Sequence, residues 1–223
     1  LGSNNGSTVE NSYATGQVSI STGTQQGGLV GRTGGTIKNS YYDKTSTGQA
    51  NAVGDGTGTV NAADITVANR YSRNGYSNLG TWSLLAGTTN VYVAKDASNQ
   101  NQWVMIEGQT RPFLWSEYST NINNLHQLQL MAVDLTKNYT VHHNIDATAT
   151  NGVNTSDMWS TAGFSQIGTP GNEFKGKFDG LNHTISNLYI KRDNQNVGLF
   201  GYTNKATIQN IGLLNVNISG NSY

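Results

Sequence analysis

The sequence predicts an all-β fold, a parallel β-solenoid of short stacked coils, on three observations. A Thr-aliphatic-x-Asn core recurs at Thr8-Val9-Glu10-Asn11, Thr36-Ile37-Lys38-Asn39, Thr184-Ile185-Ser186-Asn187 and Thr207-Ile208-Gln209-Asn210. The first two copies lie 28 residues apart and the last two 23. A period of this size marks supersecondary units that bury a core by stacking. Alternating apolar residues accompany the cores, as in Leu188-Tyr189-Ile190 and Leu214-Asn215-Val216-Asn217-Ile218, which sends one face inward and one to solvent. Glycine supplies the punctuation: Gly2, Gly31 and Gly201 stand five or six residues before three of the cores.

The elements follow in chain order. Residues 1–60 contain the first two cores, and Gly27, Gly28 and Gly31 are expected at corners that need positive φ or close backbone approach. Asn11, Asn39, Asn187 and Asn210 are expected at equivalent corners, where amides of neighbouring coils can meet. Leu29, Val30, Leu199 and Phe200 should point inward. Residues 61–118 read as a capping and connecting segment. It holds a helical turn near 62–67, strands at 91–94 and 103–107, and a plug of Trp82, Trp103, Phe113, Leu114 and Trp115. Residues 119–223 open with apolar positions at Leu125, Leu128, Met131, Ala132 and Leu135 behind the cap candidates Ser119, Thr120 and Asn121, which is helical spacing. A short helix there would cover an otherwise open sheet end. An antiparallel sandwich is the competing architecture, but hairpins do not need a 23-residue repeat.

Composition narrows the function. The 223 residues carry 13 acidic and 13 basic side chains, and Asn, Thr, Ser and Gly make up roughly 45%. Without a basic stripe there is nothing to attract nucleic-acid phosphates, and neither nucleic acid nor membrane insertion is an expected partner. Cysteine is absent, which excludes disulfides and thiolate metal sites. The chain starts at "LGSNNG" without a Met, and is expected to be a piece of a larger protein. Reading Tyr223 into Leu1 continues the repeat grammar, as in a tandem array or a head-to-tail filament of copies.

Chemistry finds few candidates. Glycoside cleavage needs two carboxylates facing one groove. Glu10, Asp43, Asp146, Asp157, Asp179 and Asp193 do not occupy equivalent positions one coil apart, and Asp179 in "FDG" reads as a turn residue. His142 and His143 would point to opposite faces of a strand, His183 reads as a packing residue, and no zinc site is expected from these with His126. The stretch 53–64 has the glycines of a calcium loop but puts Val53 where a carboxylate is required, so a surface turn is the expectation. No catalytic residue, metal or cofactor is therefore assigned. Sequons begin at Asn5, Asn138, Asn154, Asn182 and Asn217. Tyr13, Tyr41 and Tyr42 form a ladder suited to stacking between coils or on sugar rings.

Gly28-Leu29-Val30-Gly31 and Gly198-Leu199-Phe200-Gly201 resemble the Gly-Leu-x-Gly signature called the GLUG motif, and "FKGKFDGLNHTISNLYI" (174–190) resembles the segment that precedes it. "VENSYATGQV", "NSYYDKTSTGQA", "WVMIEGQTRPFL" and "LQLMAVDLTKNYTVHHNIDA" are similar to stretches of the same proteins, large bacterial exoproteins that include filamentous-haemagglutinin-type adhesins of the two-partner secretion route. The resemblance implies a right-handed parallel β-helix outside the cell, with 1–60 as late coils and 119–223 as a helix-capped beginning. The expected structural corner and core set is Gly28, Leu29, Gly31, Asn39, Phe178, Gly180, Gly198, Leu199, Gly201 and Asn210. The expected function is a non-catalytic structural repeat of a secreted surface adhesin or extracellular fibre. Its partners would be a host-cell or matrix surface, glycans, or copies of itself. The alternatives are a carbohydrate-binding or polysaccharide-cleaving module and a self-assembling matrix filament subunit.

Overall fold

The structure, a computed structural model, describes residues 1–151 and 158–221. The chain divides into two compact units, Leu1–Trp82 with Ala94–Gln100, and Ser83–Val93 with Asn101–Tyr223. The segment 61–118 is thus shared between the two and is not a third body.

In the first unit the chain makes three passes. The first contributes β1 (Ser3–Asn4), β2 (Thr8–Glu10) and β3 (Tyr13–Ala14), and the second β4 (Val30–Thr33) and β5 (Thr36–Tyr42). A one-turn helix α1 (Lys44–Thr47) leads to the third pass, β6 (Val53–Gly56) and β7 (Thr59–Asp64). All pairing between passes is parallel: Ser3 opposes Arg32 and Arg32 opposes Asp55, while Thr8, Thr36 and Thr59 stand in one row, as do Val9, Ile37 and Val60. Leu29, Val30, Ile37, Tyr42 and Ala52 form the buried core beneath. Two 3₁₀ turns, Val67–Asn69 and Arg73–Leu79, close the unit by burying Ile65, Arg70, Tyr76 and Leu79.

Then the direction rule changes. Strands β8 (Thr81–Leu84), β9 (Val91–Lys95), β10 (Asn101–Ile106) and β11 (Phe113–Leu114) form a sheet of order β11-β10-β9-β8. β10 and β11 run antiparallel, with Trp103 opposite Leu114. Turn chemistry explains the reversal. Asp96 Oδ1 accepts from the backbone N–H groups of Ser98 and Gln100, and Asn99 sits at φ 61°, so the chain folds straight back between β9 and β10.

The remainder belongs to the second unit. It runs through β12 (Asn121–Ile122), α2 (Leu125–Gln129), a 3₁₀ turn at Leu130–Val133, β13 (Tyr139–Val141) and β14 (Ile145–Asp146). It ends with β15 (Lys177–Ser186), β16 (Tyr189–Lys191), β17 (Thr207–Leu214) and β18 (Asn217–Ser219). β12, β13, β15 and β17 pair in parallel, with Asn121, Thr140, Asp179 and Gln209 in one row; β16 pairs with β18. One large core joins α2 (Leu125, Leu128), the strands (Ile122, Val141, Phe178, Ile185) and Phe164, Ile167 and Phe174.

A single right-handed parallel β-helix is therefore not what this chain forms. The strands fall into five separate sheets, one antiparallel, further antiparallel bridges join Thr110 to Trp159 and Gly163 to Ile190, and no closed solenoid exists among the described residues. The physical reason lies at 65–118, where a further Thr-aliphatic-x-Asn copy, Thr66-Val67-Ala68-Asn69, forms a 3₁₀ turn in place of a strand and hairpin turns follow. The helix is also shorter than its apolar spacing suggests. Ser119, Thr120 and Asn121 do not cap it, since Asn121 lies in β12 and Asn124 accepts from the N–H of Gln127.

Candidate functional site

The repeat grammar resolves into corners. Asn11, Asn39, Asn187 and Asn210 all adopt left-handed backbone, with φ of 48°, 46°, 59° and 54°. Asparagine tolerates that region better than other side chains because its short amide can bond locally. Asn11 follows β2 and Asn39 lies within β5, and these strands stack, Thr8 on Thr36, at the 28-residue spacing. The other two copies do not stack on each other. Thr207 opposes Lys177, and Ile208 opposes Phe178. Asn187 instead matches Asn215, which also has positive φ, because Ser186 opposes Leu214. The 23-residue spacing of those two cores is therefore not a stacking period.

Nor do the asparagines form an amide ladder. Two of them bond to carboxylates: Asn187 Nδ2 donates to Asp146 at 3.0 Å, and Asn210 Nδ2 donates to Asp179 at 3.0 Å. Asp179 collects further donors, namely the N–H of Leu181 at 3.1 Å, Gln209 Nε2 at 2.7 Å and Lys177 Nζ at 3.1 Å. The Asn210 amide and then the Leu181 N–H hold its carboxyl far below the ordinary carboxylate range. This cluster sits where β15 bulges: the register shifts between Asp179 and His183, and Leu181 and Asn182 take φ of 46° and 65°. Asp179 thus pins the irregular stretch of β15 to the next strand.

The glycines matter for close approach. A Cβ on Gly28 would lie 2.3 Å from the Tyr42 ring, one on Gly31 2.7 Å from the Gly2 carbonyl, and one on Gly180 2.3 Å from the Asn210 carbonyl. At Gly201 it would lie 2.3 Å from the Gln166 amide. Gly198 is roomier, its nearest neighbour the Phe200 carbonyl at 3.2 Å. None of these five takes a left-handed φ, and Gly31 lies inside β4, not at a corner. Leu29, Leu199 and Phe178 are buried, and Phe200 is half-buried against Phe174 and Phe178.

Of the carboxylates considered for chemistry, Asp43, Asp146, Asp179 and Asp193 have structural partners. Asp43 caps α1 through the N–H groups of Thr45 and Ser46 and makes a two-point ion pair with buried Arg70, at 2.6 and 3.0 Å. Asp146 accepts from the N–H and hydroxyl of Thr148. Asp193 accepts from Asn221, and Glu10 lies on the exposed flank of β2. Asp157 and the Asn154 sequon fall outside the described residues. His183 contacts the Asn144 amide oxygen at 3.2 Å, and His126 contacts Glu117 at 2.6 Å. Among the described residues no cluster of three metal-ligating side chains occurs. The calcium-like stretch forms β6 and β7. The tyrosine ladder is not exposed: Tyr41 and Tyr42 are buried, and Tyr13 and Tyr41 both pack on Tyr76. Of the expected aromatic plug, Trp82 donates to the Tyr76 carbonyl in the first unit, and in the second Trp103 pairs with Leu114 while Phe113 packs against Trp159.

Three polar anchors were not legible in advance. Besides Arg70, buried Gln129 accepts from Trp159 Nε1 and the Ser165 N–H, both at 2.8 Å, and donates to the Ser165 carbonyl at 2.9 Å. Arg192 donates to the carbonyls of Ala162, Gly163, Phe164 and Lys191, and burial pulls its pKa down to about 10.

No family model matches the chain, and no solved structure matches it. A putative Gly-rich membrane protein of Evansella cellulosilytica is 45% identical over 62 residues, covering 26% of this chain and 7% of that protein. Halomucin of Haloquadratum walsbyi is 40% identical over 88 residues, covering 38% of this chain and 1% of its own length. Both are compatible with a surface or extracellular location. Among the described residues no helix is long and apolar enough to cross a membrane.

Proposed function

We propose that this chain is a non-catalytic structural segment of a much longer secreted bacterial surface protein, of the adhesin or extracellular-fibre kind. The observation that carries the reading is the use of acidic and amide side chains as ties between successive passes, with Asp179 holding β15 to β17 as the clearest instance. Side chains so engaged hold backbone in place and are not directed at a substrate. The relatives support the same reading: one is a membrane protein by name, and both greatly exceed the matched stretch in length.

Immunogold labelling of intact, unpermeabilised cells tests it, together with polysaccharide-cleavage assays on the purified chain. Surface label without cleavage is the expected result. Label confined to the cytoplasm, or saturable cleavage of a polysaccharide, overturns it.

Among the described residues β17 pairs with β15 alone and exposes Ile208, Leu213 and Leu214, which favours self-association as a second reading. Sedimentation at rising concentration would show growing species if copies add there, and a constant monomer if they do not.

A further inference from the structure

We propose that the second unit carries a binding cleft for a neutral saccharide, built on Trp115 and Tyr118. The cleft has a volume of about 590 Å³, within the usual range for small-ligand sites of about 300–1,000 Å³. Its apolar wall contains Trp115 and Tyr118, both half-buried, with ring centroids 6.0 Å apart and planes inclined by 37°. The remaining wall carries Asp134, Lys137, Glu173 and Lys175.

The aromatic platform is preorganised. The Tyr139 hydroxyl donates to the Asp134 carbonyl at 2.7 Å, which leaves its oxygen to accept from the Tyr118 hydroxyl at 3.2 Å. That relay fixes the Tyr118 ring, and Trp115 packs against the unit's core. Asp134 is fixed as well, because its Oδ1 accepts from the N–H and hydroxyl of Thr136. A site whose groups are already ordered loses little entropy when a ligand arrives.

The chemistry selects the ligand class. A flat aromatic face receives the C–H face of a pyranose ring, while carboxylates and ammonium groups beside it bond to hydroxyls. Two acidic and two basic side chains cancel, and the Glu173–Lys175 pair at 3.7 Å already offsets one charge of each sign. A charged sugar would leave one of these groups opposed to a like charge. A neutral hexose or N-acetylhexose oligomer would not.

The test is titration of the whole chain with maltose, cellobiose, mannobiose, lactose and diacetylchitobiose, with a uronic-acid disaccharide as the charged control. Binding is read by calorimetry and by the indole signals in nitrogen-15 spectra. At least one neutral sugar should saturate at micromolar to millimolar concentration and shift the Trp115 indole. Trp115→Ala should weaken it by about tenfold or more, and Glu173→Gln by about threefold, with the unfolding midpoint of Glu173→Gln unchanged. Should Trp115→Ala not fold, Glu173→Gln decides alone, since among the described residues that half-buried side chain makes one long ion pair, with Lys175. Absence of any neutral-sugar binding, binding untouched by both variants, or binding of the uronic acid alone overturns the proposal. Surface labelling of cells is an independent measurement and stands or falls separately.

Discussion

A left-handed residue shows its character in how it tolerates substitution. Asn39 holds φ of 46° between β5 residues that pair on both sides. Alanine in that region costs about 1 kcal/mol through the clash of Cβ with the carbonyl, while glycine has no Cβ to clash. Asn39→Ala should therefore lower stability by about 1 kcal/mol and Asn39→Gly by a few tenths, measured by urea denaturation. Equal losses for both variants would mean that the amide and not the backbone angle sets the requirement. Gln129 illustrates the opposite kind of residue. In the sequence it is one polar letter within an apolar helical stripe; in the fold it satisfies three buried groups contributed by Trp159 and Ser165. Nothing local in the stretch "LHQLQLMA" distinguishes it from its neighbour Gln127, whose oxygen faces the exposed Asn123.

Elements show where local pattern suffices and where it does not. The Thr-x-x-Asn cores located real corners, at the ends of β2 and β15 and within β5 and β17, because a positive φ is a local demand that asparagine answers locally. The "DKTSTG" stretch likewise had a readable helix start and stop, Asp43 and Gly48, although it was not read as a helix. Register was less legible: β15 carries a bulge at Gly180-Leu181-Asn182, so its true partner spacing differs from the motif spacing. The same holds for the hairpins between β9 and β11, whose turns at Asp96–Gln100 and Gly108 interrupt the repeat spacing. The two Gly-Leu-x-Gly copies, alike in letters, differ in surroundings. Tyr42 beside Gly28 cannot retreat, since it is buried and its hydroxyl donates to the Ala50 carbonyl at 2.8 Å. Gly28→Ala should lower the stability of the first unit by about 1–3 kcal/mol. Gly198→Ala, needing a shift of only a few tenths of an ångström, should cost less than about 1 kcal/mol. Denaturant midpoints of the two variants compare them directly, and a larger loss at Gly198 would contradict the contact geometry.

At the scale of the molecule, the carboxylate ties make the second unit acid-sensitive. Asp179 is lowered mainly by Asn210, Asp146 by Thr148 and then Asn187, and Glu117 by its hydrogen bond with His126. Each has a folded pKa below its unfolded value, which is about 3.9 for aspartate and 4.3 for glutamate. The unfolded chain therefore takes up protons first as pH falls, and the stabilisation these groups provide is complete above about pH 5 and drains away between about pH 5 and pH 2. A neutral chain without disulfides has no covalent tie to mask that loss. The urea midpoint should thus stay level near neutrality and fall steadily below about pH 5. Asp179→Asn separates this cause from general charge repulsion. The amide cannot titrate, so the variant should start from a lower midpoint near neutrality and lose less on acidification than the parent. If parent and variant fall in parallel, the tie between β15 and β17 contributes nothing to the acid response, and the repulsion among the basic residues that remain charged must account for it.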